Sequence, residues 1–263
     1  MKNILITGVN GGMGKETAIK FINNGYRVFG IDIADTCDIK GIEYYKCDIT
    51  DEECINNVYK DISNKIDNLS SIISLAGIYV MDSLLEIDNE RLKKVIDINS
   101  LGCYRIVKTF FKLLKPKSKV IITTSEVAVL DPLPFNGIYS ISKSLLEKYA
   151  FSLRMELKLF DIDVVVFRPG AVTTNLLNDS ISELDKMCSK TIIQKNATGK
   201  FKKIVNSVES KSVPASKVAD KIYKIENTKH PKYSYTLNNN ILLKLLNILP
   251  DRMQVNIISK ILK

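Results

Sequence analysis

Apolar positions along this chain follow two alternating rhythms, short unbroken runs and longer stretches at helical spacing. Lys2–Ile6, Arg27–Asp32, Glu43–Cys47, Ser71–Gly77, Val120–Thr124 and Asp163–Phe167 are the short runs, of the kind that a strand buried on both faces produces. Helical patterns lie between them at Lys15–Asn23, Asp88–Leu114 and Ile138–Phe160, the second stopped ahead of Pro116. Thr50-Asp51-Glu52-Glu53 reads as another helix start, with Thr50 as the N-cap and Glu53 completing a capping box. A further helix opens at Pro214, and Tyr233–Leu237 reads as the last strand. Strand and helix alternate from end to end of the first 170 residues. That predicts an α/β domain, a Rossmann-like doubly wound parallel sheet of about seven strands with helices on both faces. All 263 residues belong to it.

Two stretches stand apart. After Thr174 the rhythm lapses for about forty residues, and Ile181, Leu184, Ile192, Ile193 and Phe201 are scattered among lysines and serines. A long loop in a compact domain is usually functional, so residues 175–212 are expected to form a lid over a substrate. The tail, residues 241–263, is rich in leucine and isoleucine and broken at Pro250. Apolar residues on nearly every side of Ile241–Leu249 exceed one core-facing stripe. Three readings stay open for it: packing on the domain, bordering a greasy cleft, or resting on a membrane surface with Lys244, Arg252, Lys260 and Lys263 toward anionic headgroups.

Composition narrows the chemistry. No run of ~18 uncharged apolar residues appears, and MKNILITGVNGG is too glycine-rich for a secretion signal, so a cytoplasmic location is expected. Five cysteines without a CxxC pair read as reduced thiols. A single histidine, His230, argues against a histidine-based triad or a zinc site, and no metal is expected. The formal charge of +9 is spread along the chain without aromatic interleaving, so nucleic acid is not the expected partner.

The first strand feeds Thr7-Gly8-Val9-Asn10-Gly11-Gly12-Met13-Gly14, then a helix, then a strand ending on Asp32, 18 residues past Gly14. Strand, glycine turn, helix, strand and acid form a dinucleotide-binding unit, in which backbone N–H groups face a pyrophosphate and the acid faces a ribose. Further along, Tyr139 and Lys143 stand four residues apart at the start of a helix, one turn apart on one face. A cation held there favours a phenolate, which an unperturbed tyrosine, titrating near ~10, does not reach at neutral pH.

Together these pieces resemble the short-chain dehydrogenase/reductase family in its single-domain branch. The spacing of Thr7, Gly8, Gly12 and Gly14 is similar to that branch's glycine pattern, and Tyr139-x-x-x-Lys143 to its catalytic pair. Ser125, fourteen residues before Tyr139, resembles the catalytic serine, and Asn99 the asparagine that completes a tetrad. The resemblance assigns the cofactor to Gly8, Asn10, Gly12, Met13, Gly14, Asp32, Ile33, Asp48, Ile49, Ala76, Gly77, Tyr139, Lys143, Pro169, Gly170, Val172 and Thr174. Of these, Asp48-Ile49 belongs beside the adenine and the stretch from Pro169 to Thr174 beside the nicotinamide amide. Where the family carries Asn-Asn-Ala-Gly, this chain has Ser74-Leu75-Ala76-Gly77.

What the resemblance implies is an oxidoreductase acting on CH–OH, interconverting a secondary alcohol and a ketone. NAD is expected over NADP, because Asp32 would oppose a 2′-phosphate. A leucine-rich tail with a Leu-Pro-Asp-Arg turn resembles those of retinol and hydroxysteroid dehydrogenases, implying a lipophilic substrate, steroid-like or long-chain. Family members pair through two helices, here Leu101–Leu114 and Ile138–Phe160 with Phe110, Phe111, Tyr149, Phe151 and Leu153, so a homodimer or homotetramer is expected. The alternative is a catalytically silent NAD(P)-binding regulatory or scaffold protein on the same fold.

Overall fold

The computed structural model describes every residue but Gln194 and Ser210; the side chains of residues 175–181, 208 and 209 also lie outside the described set. In chain order the elements are β1 (Asn3–Thr7), α1 (Gly12–Ile22), β2 (Arg27–Asp32), β3 (Glu43–Lys46), α2 (Glu52–Ser63), β4 (Leu69–Ser74), α3 (Asn89–Ile96) and α4 (Gly102–Phe110). They continue with β5 (Leu114–Thr123), α5 (Gly137–Lys158), β6 (Asp163–Pro169), β7 (Val172–Thr173), α6 (Asn175–Lys190) and α7 (Lys195–Glu209). The chain closes with β8 (Val213–Pro214), α8 (Ala215–Glu226), β9 (Ser234–Leu237), α9 (Ile241–Leu246) and α10 (Asp251–Leu262).

Seven strands form one sheet in the order β3-β2-β1-β4-β5-β6-β9, every neighbouring pair parallel. The strands read as unbroken apolar runs because successive side chains serve opposite faces. Leu5, Ile72, Val120, Ile122, Val164 and Val166 face α2, α4 and α5. Ile4, Ile6, Ile73, Ile121, Val165 and Phe167 face α1 and α8. The winding reverses between β1 and β4, and open sheets of this kind bind ligands in the crevice beyond the carboxyl ends of the strands at that point.

Five sequence expectations need correction. The cap of α2 is Asp51, whose carboxylate accepts from the Glu53 and Cys54 N–H groups, whereas Thr50 donates its hydroxyl to Asp48. The helix expected over Asp88–Leu114 is broken by a π-helical turn at Asp97–Leu101 and gives way to strand at Leu114. Pro116 falls inside a register shift of β5 against β4, where a residue without N–H costs no ladder bond. The lid region is helical: Leu184, Met187 and Cys188 on α6 and Ala197, Phe201, Ile204 and Val205 on α7 recur at three- and four-residue spacing and share one cluster. Phe110 is fully buried in the core beneath α2 and cannot serve a subunit interface.

The last correction concerns the thiols. Cys47, following β3, and Cys54, in the first turn of α2, are joined as a disulfide across a Cα–Cα distance of 5.8 Å. Cys37, Cys103 and Cys188 are free. Among the described residues, no helix is long and apolar enough to cross a membrane.

Candidate active site

Two walls and a floor meet at the carboxyl ends of β4, β5 and β6. They enclose a cleft of about 280 Å³ whose lining includes Ser125, Tyr139 and Lys143. α5 begins at Gly137, so Tyr139 and Lys143 occupy its first two turns, anchored further along by Leu146, Ala150 and Leu157 in the core. Ser125 leaves the end of β5 and hydrogen-bonds Tyr139 side chain to side chain. Thr124 points away, its hydroxyl donating to Glu147 at 3.0 Å, which leaves Ser125 as the hydroxyl at the site.

Lys143 is buried, with Nζ donating to the Thr123 carbonyl at 3.3 Å and lying 5.9 Å from the centre of the Tyr139 ring. The π-helical turn sets Asn99 beside this pair. Its amide nitrogen donates to Ile78 O and to Ser142 Oγ, both at 3.0 Å, and its oxygen accepts the Ile78 N–H at 2.8 Å. A Cβ added to Gly77 would meet Asn99 Oδ1 at 3.0 Å and Lys143 Nζ at 3.4 Å, so a side chain there would crowd both.

The electrostatics differ from the sequence expectation of a lowered tyrosine. Burial pushes the Tyr139 phenol up to about 12, with the Ser125 hydrogen bond pulling the other way. Burial also pulls the Lys143 ammonium down to about 8. Loss of water is the largest influence on both groups, and the ammonium's hydrogen bond goes to a carbonyl. At neutral pH the phenol is therefore a proton donor beside a charged lysine. Beneath them Cys103 is a neutral thiol, raised to about 11 by burial.

The glycine turn fits a dinucleotide pyrophosphate. Gly8 adopts φ +76° against the backbone of Ala76, and Gly14 packs so tightly on Gly8 that an added Cβ would overlap its carbonyl. These contacts press the turn against the β4 end, and the Leu75 and Ala76 N–H groups share the Thr7 hydroxyl at 3.3 Å. α1 starts at Gly12 with no side chain capping its N–H groups and no acid in its first turn, the arrangement that receives an anion. Asp32 ends β2 beside that turn, its carboxylate accepting from Asn10 N at 2.9 Å and Ala34 N at 3.2 Å. Ile33 follows, exposed to solvent.

Around the cleft stand Met13, Gly77, Pro169, Gly170, Val172 and Thr174. The Gly170 N–H donates to Leu237 O at 2.8 Å, and an added Cβ there would overlap Asn238 O. Gly12 faces Thr174, so the glycine turn and the segment after β6 meet directly. Asp48 and Ile49 are less available. The Asp48 carboxylate is held by Thr50 N and Oγ1, both at 2.8 Å, and Ile49 is buried against Gly102, leaving mainly backbone for an adenine.

Sequence reasoning passed over two residues here. The Tyr79 ring lies 4.4 Å from that of Tyr139, and Glu126, directly after Ser125, is buried in the cleft wall. Glu126 accepts the Asn240 N–H at 2.6 Å, and burial raises its carboxyl above the usual range. Asn240 in turn caps α9, so Leu242 and Leu243 are brought to the cleft, and the tail borders it. Phe201, Ile204 and Val205 of α7 line the opposite side. Of the lid residues named from sequence, Ile192 and Ile193 are exposed, Leu184 is core, and the Ile181 side chain lies outside the described residues.

The comparisons agree with this geometry. Residues 2–185 match the short chain dehydrogenase family, and the chain belongs to it. It is 31% identical over 255 residues to a Helicobacter pylori protein named "Probable short-chain type dehydrogenase/reductase VdlC", covering 94% of this chain and 93% of that one. It is 30% identical over 234 residues to an NADPH-dependent 1-acyldihydroxyacetone phosphate reductase of Schizosaccharomyces pombe, covering 84% and 77%. A short-chain dehydrogenase structure from Streptomyces avermitilis superposes with a TM-score of 0.78 at 19% identity, over 98% of this chain and 95% of that one. The protein is thus a short-chain-type oxidoreductase built on a nicotinamide-cofactor fold.

Lys143 gives a pH-resolved test. Its folded value, near 8, lies below the ordinary 10.5, so burying the charge destabilises the fold fully below pH about 8, and the penalty fades as pH rises toward 10.5. Lys143→Met is therefore expected to raise the unfolding free energy at pH 7 by on the order of 1–3 kcal/mol, with the gain shrinking by pH 10. Urea unfolding of both forms at the two pH values checks it. A variant less stable than wild type at pH 7 would contradict the burial cost.

Proposed function

We propose that this protein interconverts a lipophilic secondary alcohol and its ketone by hydride transfer with NAD(H). The observation that carries the reading is the convergence of Tyr139, Ser125 and Lys143 on one apolar cleft next to the glycine turn. The bound nicotinamide supplies or accepts the hydride. Tyr139 gives the proton to the forming alkoxide oxygen in reduction and takes it back in oxidation. Ser125 donates a hydrogen bond to the same oxygen. Lys143, charged at neutral pH, stabilises the phenolate left behind and holds ribose hydroxyls. Asn99 fixes the loop at Ile78 and, through Ser142, the helix that carries Tyr139. General acid–base help of this sort is worth ~10²–10⁴-fold.

Tyr139→Phe keeps the ring and removes the proton, so turnover is expected to fall at least a hundredfold while NADH binding, read by fluorescence titration, changes less than threefold. A variant retaining more than a tenth of wild-type kcat would refute the role. Absence of wild-type turnover across a panel of secondary alcohols and ketones would favour the alternative, a silent NAD(P)-binding regulatory or scaffold protein.

For the cofactor, Asp32 supports NAD(H): its carboxylate repels a 2′-phosphate, and the nearby lysines, Lys15 and Lys46, are tied to Asp38 and Asp35. NADP(H) is the second reading, since the S. pombe relative is named for NADPH. The expectation is a kcat/KM with NADH at least tenfold above that with NADPH; equality or reversal would overturn it.

Assembly is part of the proposal. Leu101, leading into α4, Tyr104 of α4, and Ile141, Leu145, Phe151 and Met155 of α5 are exposed. A two-fold dimer or tetramer that buries this face is expected by light scattering at micromolar concentration. A monomer there would count against it.

A further inference from the structure

Beside the catalytic cleft lies a second, larger cavity of about 1010 Å³, walled by α7, α10, the end of α9 and the segment 131–137. It shares with the cleft the side chain of Leu133, which lines both. The two spaces also run along the same helices. On α7, Phe201 faces the cleft and Ala197, one turn earlier, faces the larger cavity. On α9, Leu243 faces the cleft and Leu246, three residues on, faces the larger cavity. Ile258 of α10 completes the apolar wall. Its charged lining is peripheral to these helices: Lys195 and Asp251 begin α7 and α10, Lys263 follows α10, and Asp131 accepts a hydrogen bond from Gln254 at 2.9 Å.

We propose that this cavity is an annex for the hydrocarbon tail of the substrate, so that the enzyme acts on a flexible long-chain ketone or alcohol. The inference rests on the oxidoreductase reading above and narrows its substrate. The cleft at 280 Å³ must take the carbonyl and the nicotinamide ring together, which leaves no room for a long tail. Leu133, Phe201–Ala197 and Leu243–Leu246 form the apolar border between the two spaces, across which the tail would run outward from Tyr139 and Ser125. Among the described residues, those bordering the two spaces along this path (Leu133, Phe201, Ala197, Leu243 and Leu246) are apolar. A chain in such a path gains about three- to fourfold in binding per methylene removed from water.

Two readouts test it. In the first, kcat/KM is measured for 2-alkanones from six to fourteen carbons in wild type, Ala197→Trp and Ile258→Trp. The expected result is a rise of at least thirtyfold across the series in wild type. Each tryptophan, filling the annex, should lower the ratio of the fourteen-carbon to the six-carbon value at least tenfold. A flat wild-type series, or tryptophans that leave the ratio unchanged, overturns the annex. In the second, binding of cis-parinaric acid, an eighteen-carbon fluorescent chain, is titrated in all three proteins. A loss of at least tenfold in affinity in both variants supports the annex, and unchanged affinity overturns it. Circular dichroism melts confirm that both variants fold, and two positions on different helices guard against one failing to do so. If the wild type turns over no ketone, the oxidoreductase reading fails, and the annex is judged on the parinaric titration alone.

Discussion

The site depends on keeping one ammonium, that of Lys143, out of water. A lone buried cation is costly, and among the described residues the hydrogen bond this one makes goes to a backbone carbonyl, Thr123 O. That cost is met by the packing of the helix that carries it. Leu146, Ala150 and Leu157 lock α5 against β4, β5 and β6, where Leu69, Ile72, Val120, Ile122, Val164 and Val166 present one unbroken apolar face. Because the helix cannot back away, Lys143 remains at the floor and Tyr139 above it. Dryness then acts on both groups in opposite senses: it keeps the phenol protonated and pulls the lysine toward neutrality.

Much of this was legible in the sequence, for identifiable reasons. Strands buried on both faces have to be apolar at every position, so Lys2–Ile6 and Asp163–Phe167 stood out without any partner information. The glycine turn was legible because Gly8 and Gly14 are held against neighbouring backbone that no side chain can share. Ser125 was separable from Thr124 only in space, since the two hydroxyls leave the strand end in opposite directions, one to Tyr139 and one to Glu147.

The misses have physical causes too. α6 and α7 have narrow apolar stripes diluted by lysines, and their mates, Phe135, Leu262 and Tyr79, come from remote parts of the chain. Thr50 loses the cap to Asp51 because Asp48 captures the Thr50 hydroxyl. The Cys47–Cys54 pairing needed the approach of β3 to the start of α2, which spacing alone does not report. The Tyr139 shift was misjudged in sign because sequence supplies the charge of Lys143 but not the desolvation of both groups.

Glu126 ties the chemistry to the tail. It follows the serine that bonds Tyr139, is buried, and holds the N–H of the residue that caps α9. Its second carboxylate oxygen would lie 2.9 Å from a Cβ on Gly170, so the same side chain also lies close against the segment after β6. Through this one carboxylate the end of β5, the segment after β6 and the leucines of α9 are held near one another. α9 is only six residues long, too short to hold its own place in water, so the position of Leu242, Leu243 and Leu246 is borrowed from Glu126 and Asn240. A carboxyl adjoining Ser125 thereby helps decide where the apolar wall of the cleft begins.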